Sequence, residues 1–122
     1  MVRYHAGQRS ALRAIALTTD SSILTAAGND FGIEEIFARQ LEALARPGDA
    51  LIVHSTSGNS TNVVAAVQRA RSLGVTSIAL LGGDGGKLRG LADHAFVVED
   101  ARVNHVQEMH LAIRAASAAP PR

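Results

Sequence analysis

The segment Ser55-Thr56-Ser57-Gly58-Asn59-Ser60 carries four hydroxyl side chains around a single glycine. Short hydroxyls donate hydrogen bonds without adding bulk, and glycine lets the backbone turn closely around a bound group. An apolar run, Ala50 to Val53, precedes the segment, and a helical pattern opens at Ser60 or Thr61. A loop that opens a helix presents unpaired N–H groups and the positive end of the helix dipole, which suit a phosphate. The same residues also make an ordinary N-cap with a polar turn, so their types alone leave both readings open.

The surrounding pattern says what must position this loop. Leu12 to Leu17 is a short apolar run and reads as a buried strand. Thr18 to Ser22 is polar, and Asp20 or Ser21 caps a short helix to about Ala27, broken by Gly28-Asn29-Asp30. Ile33, Ile36, Phe37, Leu41 and Leu44 recur at helical spacing, giving a helix over 33–45 that Pro47-Gly48 ends. Ala50 to Val53 reads as a fully buried strand, and 61–73 as a helix stopped by Gly74. Strands follow at Thr76 to Leu81 and His94 to Val98, separated by the turn Gly82 to Gly86 and a short helix, Lys87 to Ala92. A last helix runs from Val103 to about Ala118. The alternation predicts an α/β domain, a parallel sheet of about four strands with helices on both faces. Ligands bind beyond the carboxyl ends of such strands, which points to the loops starting at Thr18, Ser55 and Gly82. Residues 1–11 read as a loose arm and 119–122 as a frayed tail of this single domain, 1–122.

Composition excludes several classes. The 122 residues carry 12 basic and 11 acidic side chains, with no long basic run, so neither nucleic acid nor a membrane surface has electrostatic support as a partner. Hydrophobic residues at 47% exclude a disordered chain, and aromatics at 3% disfavour base stacking. The absence of cysteine removes disulfides, thiolate zinc sites and a cysteine nucleophile, and fits a cytoplasmic location. No apolar run approaches the ~20 residues that span a bilayer, and the N-terminus lacks the apolar core of a signal peptide.

With its flanks, the hydroxyl loop resembles the phosphosugar-binding loop of the SIS (sugar isomerase) domain family. Ala14 to Asp20, Gly28 to Gly32, Phe37 to Gln40, Arg46 to Asp49, Asp84 to Leu88 and Val106 to His110 are similar, in order, to segments of phosphoheptose isomerases. The resemblance implies a flavodoxin-type, Rossmann-like sandwich that here lacks the first strand and the N-terminal bundle helices. It implies aldose–ketose isomerisation of a substrate like sedoheptulose 7-phosphate, a bound zinc, a role in heptose biosynthesis, and a homo-oligomer, dimer or tetramer. By the same match, Ser55, Thr56, Ser57 and Ser60 are phosphate binders, Asn29 and Asp30 contact substrate, and Gln107 contacts substrate and zinc.

Departures from the family pattern open an alternative. The family's glutamate and histidine, which transfer protons and bind zinc, lie on a helix of a section with no counterpart here. Its catalytic histidine, eight residues after the glutamine, is replaced by Ala115, and Asn104 stands where some relatives have an aspartate. The alternative is therefore a non-catalytic phosphosugar-binding, regulatory or interaction protein. Isomerisation through an enediol needs a base near the substrate carbon and an acid near the carbonyl. His54, beside the hydroxyl loop, and His110, three residues after Gln107, are the candidates for that work; His105 lies nearby. His5 and His94 have no such claim, and Glu34 and Glu35 suit a helix start by charge alone. The apolar side of the last helix, Val103, Val106, Met109 and Ile113, needs cover, which self-association supplies.

Overall fold

The computed structural model describes residues 13–117. The expected arm, the tail and His5 lie outside them. Helix α1, Ser21–Phe31, starts on Asp20, whose Oδ1 accepts the Ile23 N–H at 3.1 Å. It runs through Gly28-Asn29-Asp30, where the turn-forming residues predict a break. The stop comes instead at Gly32, with φ of 92°, whose N–H reaches Gly28 O at 3.2 Å. Gly28 lies inside the helix with Ile36 at ordinary packing distance, 3.6 Å from where a Cβ would lie.

The helix expected over 33–45 is divided. A 3-10 turn, Ile33–Glu35, leads into α2, Ala38–Leu44. Buried Gln40 marks the join, with Nε2 donating to Ile36 O at 2.9 Å and to Leu17 O at 3.0 Å. That second bond tethers the segment before α1. Leu17 packs against the core, but residues 13–17 form no strand and Ile15 is exposed. An apolar run becomes a strand only by finding a ladder partner, and no described strand pairs with this one. The sheet therefore has three described strands rather than about four, and the Thr18 loop follows no strand end.

The strands are β1, Ala50–Ser55, β2, Thr76–Gly82, and β3, His94–Val98, all parallel in the order β1-β2-β3. Helix α3, Thr61–Ser72, connects β1 to β2, and the four-residue α4, Leu88–Leu91, connects β2 to β3. Leu51, Val53, Ala79 and Leu81 meet Ala66, Val67, Ala70 and Leu88 in the main core. Helix α5, Val103–Ser117, packs on the opposite side of β2, burying Val106 and His110. It covers that side incompletely. β1 alternates between exposed and buried positions instead of being buried throughout, and Ile52 is 54% exposed. At the amino end of the sheet, Asp93 Oδ2 accepts the Ser77 N–H at 2.8 Å and the Ser77 hydroxyl at 2.7 Å. These bonds from the start of β2 hold the Asp93 carboxyl below its usual range and clasp β2 to the approach to β3.

Candidate functional site

At the other end of the sheet β1 stops at Ser55 and the chain turns into α3. Ser55 is only 6% exposed. Its Oγ accepts the Gly58 N–H at 3.1 Å and lies 3.3 Å from Ser60 Oγ. Ser57 Oγ accepts the Asn59 N–H at 3.2 Å. The segment thus shapes itself with its own hydroxyls. Ser60 takes the N-cap position of α3 but makes no side-chain capping bond, so its hydroxyl is not consumed by the helix it opens.

The loop after β2 presses on this one. Gly58 has φ of 65°, and a Cβ there would lie 1.9 Å from Gly85 O. Glycine is required on both counts. Gly58 O accepts the Leu88 N–H at 3.1 Å. Asn59 completes the joint, with Nδ2 donating to Ser57 O at 2.9 Å and Oδ1 accepting the Lys87 N–H at 3.1 Å.

Helix α5 supplies the facing wall. Gln107, His110, Leu111 and Arg114 follow the spacing of one helix face. With His54, Ser55, Thr56 and Ser60 they line a cavity of about 520 Å³. His110 is 4% exposed, and its Nε2 lies 3.0 Å from Leu81 O. A carbonyl only accepts, so Nε2 carries the proton and, in the neutral ring, Nδ1 keeps its lone pair. The His54 ring stands 5.7 Å from that of His110, centroid to centroid, at 58°. Partial burial holds His54 below the ordinary imidazole range near 6.5, with the charges of His110 and Arg114 adding to the effect. A smaller cavity of about 320 Å³ at the amino end of the sheet is lined by Arg71 and Asp93 among others. Its carboxylate is already engaged by Ser77.

Ser55, Thr56, Ser60, Gln107, His54 and His110 are therefore brought together, while Ser57 is not among the lining residues. Asn29 and Asp30 sit exposed in the last turn of α1, bonded to each other at 2.9 Å, away from the cavity lining. His105 Nδ1 lies 3.3 Å from Asp100 Oδ2 and is accounted for there. Arg114 escaped the sequence reading, although its position four residues after His110 and seven after Gln107 was the signal for it. The roles of Asn59 and of the Gly85 turn had no such signal, since they rest on a contact between distant loops. The donors do not fit zinc. Among the described residues no three His, Asp or Glu side chains gather, Nε2 of His110 is committed to Leu81, and a lone amide oxygen at Gln107 is a poor zinc site.

Residues 4–82 match the SIS domain family. The phosphoheptose isomerase of Akkermansia muciniphila is 50% identical over 105 residues, covering 86% of this chain and 56% of that protein. That of Chlorobaculum parvum is 54% identical over 114 residues, covering 92% of this chain and 54% of its own length. The solved structure of a phosphoheptose isomerase from Francisella tularensis superposes with a TM-score of 0.86 at 40% identity, covering 88% of this chain and 58% of that one. One from Neisseria gonorrhoeae gives 0.82 at 45% identity, over 84% of this chain and 57% of that one. The chain spans a little over half the length of these relatives.

Two expectations follow from the site's geometry. Gly58→Ala drives a methyl group into the Gly85 backbone, so urea unfolding should show a loss of at least about 2 kcal/mol; a loss below about 0.5 would contradict the loop contact. His54 has a lowered folded pKa, so its contribution to stability is complete above the ordinary imidazole range and is lost as pH falls through the folded value. Stability measured from pH 7.5 down to 5 should fall less steeply in His54→Gln than in the parent; equal slopes would contradict a lowered His54 pKa.

Proposed function

The chain belongs to the SIS domain family, and on that premise we propose that it binds a phosphorylated sugar in the cavity between the Ser55–Ser60 loop and α5. The reaction proposed is the aldose–ketose isomerisation that its relatives' name describes, on a substrate like sedoheptulose 7-phosphate. The observation that carries the reading is the loop itself. Ser55, Thr56 and Ser60 line a cavity at the carboxyl end of a parallel strand and at the N-terminus of a twelve-residue helix. Such a position offers hydroxyl donors, backbone N–H groups and a favourable dipole to one phosphate. The titratable side chains of the lining, His54, His110 and Arg114, are all basic, which further favours an anion. The cavity is large enough for a phosphosugar and has both polar and apolar lining.

The same proposal places the molecule in the cytoplasm, in heptose biosynthesis, as a single domain that self-associates. Among the described residues no helix is long and apolar enough to cross a membrane. The absence of cysteine supports a reducing compartment. Ile52 and Phe96 on the sheet and Met109 and Leu111 on α5 are all large apolar side chains left exposed. Burying them against a second copy removes that surface from water.

Two measurements test the proposal. Calorimetric titration with sedoheptulose 7-phosphate should give saturable binding, weakened by about 1.5–3 kcal/mol in Ser60→Ala, the usual value of a hydrogen bond to a charged group. Unchanged affinity in that variant would sink the phosphate assignment. Sedimentation at micromolar concentration should show a dimer or larger species; a monomer would overturn the self-association.

A further inference from the structure

His110 is a nearly buried imidazole with one nitrogen assigned and one left over. Its Nε2–H is spent on Leu81 O, inside the sheet, at 3.0 Å. Among the described residues no buried side-chain nitrogen or oxygen lacks a partner. Among the described residues Nδ1 of His110 makes no hydrogen bond, and the ring lines the cavity. The Leu81 bond locks the ring, and with it the direction of the Nδ1 lone pair. A fixed lone pair in a pocket beside an anion-binding loop is the arrangement a proton acceptor needs. His54 approaches from β1, 5.7 Å away between ring centroids. Two imidazoles at that separation can reach adjacent atoms of one small ligand.

We propose that His110 Nδ1 is the base of this pocket and His54 its partner at oxygen, together moving the protons of a phosphosugar held by the Ser55–Ser60 loop. The proposal rests on the phosphosugar reading above. Nδ1 takes the proton from the hydroxyl-bearing carbon next to the carbonyl. The C–H electron pair becomes the carbon–carbon double bond of the enediol. The carbonyl pair moves onto its oxygen, which takes a proton from the His54 ring N–H. His54 recovers a proton from the neighbouring hydroxyl as that oxygen becomes the new carbonyl, and His110 returns its proton to the former carbonyl carbon. Both rings end as they began, and no oxidant or second substrate is consumed. His54 serves this role as a neutral ring, and its partial burial favours that state.

The test is proton exchange into sedoheptulose 7-phosphate in deuterium oxide, followed by NMR. The full chain should wash deuterium into the carbon beside the carbonyl. His110→Gln should slow that exchange by at least ~100-fold with less than threefold change in phosphosugar affinity. A bound phosphosugar with no exchange above the protein-free rate overturns the base and leaves the binding reading standing. Absence of binding overturns both. Exchange that survives in a folded His110→Gln overturns the assignment to His110. If that variant does not fold, nitrogen-15 spectra of the parent decide: Nδ1 of His110 should show the shift of an unprotonated nitrogen and move when the phosphosugar is added. A protonated or unresponsive Nδ1 overturns the proposal.

Discussion

A hydrogen bond of 3.1 Å from the Leu88 N–H to Gly58 O joins the loops that end β1 and β2. Around it the two backbones come so close that a single methyl group at Gly58 has no room beside Gly85. Asn59 crosses the same seam through Oδ1, which accepts the Lys87 N–H, while its Nδ2 is anchored to Ser57 O in its own loop. The consequences reach in two directions. Toward the core, the joint seats Leu88, which is fully buried beneath α3. Toward solvent, it sets where the Ser55–Ser60 turn enters α3, and therefore where Ser60 and the helix N-terminus stand. An anion site made of backbone and short hydroxyls has no long side chains with which to correct an error, so it depends on rigidity of this kind.

The opposite wall obeys a different constraint. α5 lies against one side of β2, fixed by Val106 at the level of Gly82 and by His110 at Leu81 O. Those two anchors, four residues apart, define one helix face. The residues next to them on that face, Gln107, Leu111 and Arg114, are carried to the cavity by helical geometry alone. One wall is thus an anion-binding turn, and the other a helix face with an imidazole held in one tautomer.

Much of this was legible in the residues. β3 has the bounds its residues predict, β1, β2 and α3 deviate by only one or two residues, and α5 starts at Val103 as expected. The hydroxyl loop, and the pairing of Gln107 with His110, followed from local spacing. What failed was non-local. Leu12 to Leu17 had the look of a strand, but pairing is a relation between segments and no described strand takes it up. Gly28-Asn29-Asp30 are turn residues, yet the helix continues to the stop at Gly32, whose positive φ ends it. Ala50 to Val53 read as buried on both sides, whereas the covering of its second side depends on how far α5 extends. Where the second helix divides, the Gln40 amide bridges Ile36 and Leu17. Periodicity carries no information about such a bridge.

The central claim is that a phosphosugar sits with its phosphate on the Ser55–Ser60 turn. Backbone amide NMR of the full chain, titrated with sedoheptulose 7-phosphate, tests it at the atoms concerned. The account predicts the largest shifts at the amides from Thr56 to Asn62, with smaller ones at Gln107 and His110 on the facing helix and none at the amino end of the sheet around Asp93. Shifts centred on Arg71, Thr76 and Asp93, or none at all at saturating ligand, would contradict it.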